Sequence, residues 1–244
     1  MRIRVINPNT SASMTETIAA SAHAAAAPDT VIEAVTPAMG PASIEGHYDE
    51  ALAVPGVLTE VARGVADQVD GFVLACFGDP GMDAARELAQ GRPVIGIAQA
   101  AMHVAALSAR GFAVVTTLSR TAGRAWDLAR SYGFGDRCRE VLACEVPVLA
   151  VDSAEDMVAD LAREALTHDG VEAIVLGCAG MAEMAEMAAR VSAETGAPVI
   201  DGVGAGVGLV ETMVRIGVGG CARGEYAVPL AKSYTGLLEP FMIS

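Results

Sequence analysis

The chain is short of positive charge, of aromatic rings and of cofactor motifs, and each shortage argues against a class of function. Lys and Arg number 16 against 30 Asp and Glu, a formal charge of −14. Nucleic acid is bound by clustered cations, so no nucleic-acid partner is expected, and the same charge gives an anionic membrane surface nothing to attract. Solubility is the plain consequence of this acidity. No stretch approaches the ~20 apolar residues of a membrane span. The N-terminus opens into a strand-like run rather than a leader peptide, so residence in the cytoplasm is the expectation. Aromatics make up only 4% of a chain that is 52% hydrophobic. The core must therefore be built from Ala, Val, Leu, Ile and Met, the material of helices laid on buried parallel strands.

The five cysteines are Cys76, Cys138, Cys144, Cys178 and Cys221, with no C-x-x-C spacing among them. An odd number without an export signal reads as free thiols. His23, His47, His103 and His168 stand at no ligand spacing from a cysteine, so no metal is expected. Neither a phosphate-binding G-x-x-x-x-G-K-[ST] nor a well-placed G-x-G-x-x-G occurs, and no cofactor is expected either.

What the chain does have is a repeat. Val69-Asp70-Gly71-Phe72-Val73-Leu74-Ala75-Cys76-Phe77-Gly78 returns as Val171-Glu172-Ala173-Ile174-Val175-Leu176-Gly177-Cys178-Ala179-Gly180. Gly91-Arg92-Pro93-Val94-Ile95-Gly96 returns as Gly196-Ala197-Pro198-Val199-Ile200-Asp201, and Arg4–Asn7 has a weaker echo in Ala113–Thr116. The echoes follow chain order at similar offsets. A duplicated α/β half of about a hundred residues, close to the usual domain size, accounts for all three.

Periodicity and breakers place strands at Ile3–Asn7, Val31–Val35, Gly71–Ala75, Val94–Ile97, Ala113–Thr116, Val146–Val151, Ala173–Leu176 and Val199–Ile200. Between them fall helices near 14–26, 48–66, 81–89, 98–107, 122–132, 154–166 and 181–195, with a last helix near 206–216. Ser13 and Glu16 form a capping-box pattern, Asp79-Pro80 an N-cap followed by proline, and Pro55 threatens to kink or divide its helix. Alternating strands and helices of these lengths mean parallel sheets with right-handed crossovers. The fold class is thus α/β, with two pseudo-symmetric domains and a cleft between them. Residues 1–97 with 205–244 would form one domain, completed by the C-terminal segment, and 98–204 the other.

Ligands in such sheets bind beyond the carboxyl ends of the strands. Asn7, Cys76, Thr116 and Cys178 all fall at that edge, and two facing halves would gather them around one cleft. A thiol is a useful base when its pKa of ~8.5 drops toward neutrality, and a helix N-terminus is one way to lower it. Both Cys76 and Cys178 precede expected helix starts. Two equivalent groups on opposite sides of a substrate suit inversion at a carbon acidified by a neighbouring carbonyl. One thiolate removes the proton from one face and the opposing thiol delivers another to the other face. Backbone N–H groups in the turn after Cys76 would serve the enolate oxygen.

Other residues keep two readings. Asn7, Asn9, Thr10, Thr116 and Thr117 suit capping or turn formation as well as substrate contact. Asp201, opposite Gly96 in the repeat, either orients Cys178 or caps a turn. Gly202, Gly204, Gly206 and Gly208 miss phosphate-loop spacing and suit close helix packing. Glu45, His47 and Tyr48 lie in a long loop that is either surface or a lid. Cys138, Cys144 and Cys221 read as buried free thiols.

Four segments together resemble the hydantoin racemase branch of the Asp/Glu racemase superfamily: Val5-Ile6-Asn7-Pro8-Asn9-Thr10, Gly40-Pro41-Ala42-Ser43-Ile44-Glu45-Gly46, Ala75-Cys76-Phe77-Gly78-Asp79-Pro80-Gly81 and Leu176-Gly177-Cys178-Ala179-Gly180-Met181. The resemblance spans nearly the whole chain. It implies a cofactor-independent racemase whose acid/base pair is Cys76 and Cys178. Asn9, Thr10, Phe77, Gly78, Thr116, Thr117, Ala179 and Gly180 would then surround the substrate. Amino-acid racemases of the superfamily follow the second cysteine with Thr-His. Here Ala179-Gly180 follows, which suits a small neutral ring of hydantoin or allantoin type. Phe77 favours an apolar substituent on that ring, and assembly into a homo-oligomer is expected.

Overall fold

A computed structural model describes residues 1–242. Among these described residues, eight strands alternate with eight α-helices. The first half runs β1 (Arg2–Ile6), α1 (Ala12–Ala25), β2 (Val31–Val35), α2 (His47–Ala66), β3 (Gly71–Leu74), α3 (Met82–Leu88), β4 (Val94–Gly96) and α4 (Ile97–Ser108). The second runs β5 (Phe112–Thr116), α5 (Ser119–Ser131), β6 (Cys138–Ala143), α6 (Glu155–Ala165), β7 (Ala173–Leu176), α7 (Ala185–Thr195), β8 (Val199–Ile200) and α8 (Gly202–Arg215). Each half forms a four-stranded sheet, β2-β1-β3-β4 and β6-β5-β7-β8, and every pairing is parallel. The two orders are the same, as duplication requires. β3, β5 and β7 are buried along their whole lengths, which is why they read as unbroken apolar runs.

The helix that follows each fourth strand leaves its own half. Ala98, Ala101, Met102 and Ala105 of α4 pack with Phe112, Val114, Ala173 and Val175 of the second sheet. Val203, Val207 and Val210 of α8 join a cluster with Ile3, Val5 and Val73 of the first. Gly206 allows that approach, since a Cβ there would lie 3.0 Å from Val73 Cγ1. Beyond α8 the tail turns back over α2 and α3: Tyr234, Leu238 and Phe241 line a groove with Leu58 and Leu88. The hydroxyl of Tyr226 donates to Asp83 at 2.9 Å.

Several expectations shift. The sixth strand is Cys138–Ala143, not Val146–Val151; the later segment is a 3₁₀ stretch, Val148–Ala154. Pro147 removes a ladder donor, whereas β6 is an edge strand paired on one side only, so Arg139 and Glu140 are tolerated there. α1 is capped by Ser11, whose hydroxyl accepts from Met14 N at 3.3 Å, rather than by Ser13. α2 continues through Pro55 undivided. The helix expected from Met181 splits into a 3₁₀ turn, Ala179–Met181, and α7. The last helix begins four residues earlier than expected because Asp201 caps it, accepting from Val203 N at 3.0 Å and Gly204 N at 2.8 Å. Asp201 therefore caps a helix and does not orient Cys178. Among the described residues no helix is long and apolar enough to cross a membrane.

Candidate active site

β3 and β7 end at Leu74 and Leu176, and two residues past each end stand Cys76 and Cys178. Both line one cleft of about 640 Å³, a figure that includes its open mouth. Gly177 lets the second turn close, because a Cβ there would meet Val115 O at 2.9 Å and Thr116 Cβ at 3.0 Å. A backbone N–H stands near each sulfur, Gly78 for Cys76 and Gly180 for Cys178, with that of Met181 also near Cys178. These donors favour thiolate. Burial opposes them and wins, pushing Cys76 up to about 12 and Cys178 up to about 11. The expected drop toward neutrality is thus reversed in the free site. Mutual repulsion of the two sulfurs raises Cys76 further and disfavours a doubly charged pair.

Of the residues expected around the substrate, Asn9, Phe77, Gly78, Thr116, Thr117, Ala179 and Gly180 line the cleft with the two cysteines. Asn7 and Thr10 do not. Asn7 is buried, and its amide donates to Asn9 Oδ1, Ser11 O and Thr15 Oγ1 at 2.8, 3.1 and 3.0 Å, so it shapes the β1–α1 turn. Thr10 holds the loop before α2 through N–H and hydroxyl bonds to Pro41 O, at 2.9 and 3.2 Å. The Thr116 hydroxyl donates to Gly177 O at 3.2 Å, which turns it toward the cysteine turn. Phe77 lines the cleft while packing in the cluster of the second sheet.

The loop before α2 does border the site, through Ile44 and Gly46. Glu45 ties it to the other half by accepting from Val148 N at 2.9 Å. His47 and Tyr48 instead begin α2 and face solvent, the former with its side chain 82% exposed. Cys138 and Cys144 are buried as expected, whereas Cys221 is exposed on the tail.

Sequence reasoning passed over two charged residues of the cleft, Glu50 on α2 and Arg124 on α5. Arg124 directs Nε and Nη2 at Gly78 O, 3.2 and 2.7 Å away, and its Nε stands 3.5 Å from Glu50 Oε2. A signal existed: Arg120 and Arg124 lie one helical turn apart, and both meet first-half residues, Gly46 and Gly78. Asp79, expected to cap α3, faces α4 instead. It accepts from Ala98 N at 3.1 Å, Gln99 N at 2.9 Å and the Tyr132 hydroxyl at 2.7 Å, and Gly81 takes the N-cap place of α3. Among the described residues, no three His, Cys, Asp or Glu side chains cluster to hold a metal ion.

The model of the Asp/Glu/Hydantoin racemase family matches residues 3–210. A hydantoin racemase of Pseudomonas sp. (strain NS671) is 44% identical over 99% of this chain and 97% of its own. One of Rhizobium meliloti is 45% identical over 97% and 98%. The solved allantoin racemase of Klebsiella pneumoniae superposes with a TM-score of 0.93 at 49% identity, covering 98% of each chain.

Proposed function

The chain belongs to the Asp/Glu/hydantoin racemase family and is a racemase, and from that premise we propose that it inverts the stereocentre of 5-substituted hydantoins through Cys76 and Cys178. The observation that carries this reading is the pair itself: two sulfurs at equivalent strand ends, on one cleft, each with its own backbone donor. One thiolate takes the proton from the ring carbon, and the resulting enolate is reprotonated on the opposite face by the other thiol. In the reverse direction the roles exchange, so the two groups must be alike. A buried thiolate with a high pKa is a strong base, which a weak carbon acid demands. The backbone N–H groups of the two turns stabilise the thiolate as it forms. No cofactor takes part.

The walls favour hydantoins over allantoin. Met14, Ile44, Phe77 and Val148 border the cleft, an apolar lining suited to an alkyl or aryl substituent. The enzyme works in the cytoplasm as a homo-oligomer, to which the exposed Leu230 and Leu237 of the tail contribute. Chiral chromatography with L-5-benzylhydantoin and with (S)-allantoin tests the proposal. Racemisation of the former at the greater kcat/KM is the expected result, and optical stability of both substrates overturns it.

A further inference from the structure

Glu50 lies in the first turn of α2 with its side chain 18% exposed, and its carboxylate borders the cleft. It rests against the Cα of Gly78, where a Cβ would collide with Oε1. That glycine is the residue whose N–H serves the Cys76 sulfur, so the carboxylate stands beside the reacting group. Burial raises the pKa of Glu50, with Arg124 and then His47 acting against the rise. Two cations stand beside it without making a hydrogen bond to it: Arg124 points two N–H groups at Gly78 O and pairs with Glu50 at 3.5 Å, while His47 Nδ1 is 4.0 Å away. Among the described residues, no N–H or O–H donor makes a hydrogen bond to the Glu50 side chain. A carboxylate facing a cleft without a donor is complementary to a ligand that brings one, and it repels a ligand that is itself an anion.

Resting on the hydantoin reading above, we infer that Glu50 is the specificity-determining residue of this cleft. It accepts a hydrogen bond from a ring N–H and rejects substrates bearing a negative charge. Arg124 does not undo the rejection, because two of its N–H groups are directed at Gly78 O and its charge is matched by Glu50 itself. Among the described residues the cleft is then left without an unmatched cation for a carboxylate substrate. A cyclic urea or imide supplies the missing donor.

The test compares L-5-benzylhydantoin with L-hydantoin-5-acetate, a ring of the same kind whose side chain is ionised at the assay pH. The wild type favours the neutral substrate. In Glu50→Gln, which keeps the shape and removes the charge, the neutral-to-anionic ratio of kcat/KM falls about tenfold or more. Glu50→Asp retains the charge and keeps the ratio within about threefold of the wild type. If Glu50→Gln does not fold, Glu50→Ala carries the same expectation. A ratio unmoved by loss of the charge, or moved equally by Asp, overturns the assignment of Glu50 while leaving the racemase reading intact. Failure of the wild type to racemise either hydantoin overturns the substrate class, and this inference with it.

Discussion

The carboxylate of Asp79 fills the space in which a side chain on Gly96 would have to stand. Gly96 is the N-cap of α4, and Asp79 accepts from the second and third N–H groups of that helix, Ala98 and Gln99. Asp201 does the same for α8 from the N-cap position itself, accepting from Val203 and Gly204. The repeat is therefore broken in sequence at Gly96 and Asp201 and restored in space, with the carboxylate of the first half delivered from the cysteine turn. The hydroxyl of Tyr132, just past α5 of the other half, adds a third donor.

That arrangement makes stability depend on pH through Asp79. Burial pushes its pKa from 3.8 up to about 6, against the pull of Tyr132, Gln99 and Ala98. The neutral acid is favoured in the fold, so the contribution is complete below 3.8 and is lost as pH rises through about 6. Asp79→Asn cannot titrate there. Between pH 4 and 7, the unfolding free energy of wild type minus that of Asp79→Asn falls with rising pH. A flat difference would show that the carboxylate is not the titrating group.

Replacement of either cysteine by serine removes one partner of a two-base exchange, and racemisation falls by about 10³-fold in each case. In D₂O each single variant still exchanges the α-proton of one enantiomer, and the two variants act on opposite hands. NMR of the recovered substrate reads both quantities. Full racemisation by Cys76→Ser or Cys178→Ser sinks the two-thiol mechanism.

Because both thiols are pushed far above neutrality, to about 12 and about 11, thiolate is scarce in the free enzyme near pH 7. The rate constant kcat/KM reports the free enzyme, so it rises about tenfold per pH unit between pH 6 and 8. A plateau within that range would mean that a thiolate is already formed before substrate arrives.

Gly177→Ala places a methyl group against Val115 O, a backbone atom held within the second sheet. Destabilisation of about 1–3 kcal/mol is the expected result of overpacking of this kind. The displaced turn carries Cys178, so kcat falls along with stability. Urea denaturation alongside steady-state kinetics measures both effects, and a variant with wild-type values in each would remove Gly177 from this role.

The apolar strands that fix the sheets were legible because burial on both faces leaves nothing polar in Phe72–Leu74 or Ile174–Leu176. The cysteine pair was legible for a related reason, since duplication copies a strand end together with the turn beyond it. β6 was not, because an edge strand meets one neighbour and its alternation is diluted by Arg139 and Glu140. Glu50 and Arg124 escaped notice because they look like ordinary helical surface charges; only the approach of α2 to α5 turns them toward one cleft. The thiol pKa values depend on how much protein surrounds each sulfur, and strand-end position does not reveal that. Asn7 shows the limit from the other side: a polar residue at the ligand edge is fully consumed by its own turn.

The exchange of α4 and α8 between the sheets bears on how such a molecule could be halved. A fragment ending at β4 would expose the sheet face that α8 now shields, and one that kept α4 would carry an apolar helix with nothing beneath it. Two copies of the half could each satisfy the other only by trading their last helices, the arrangement that the single chain now makes permanent. Each sheet loses part of its cover, and each cysteine its opposite number, once the two halves are parted.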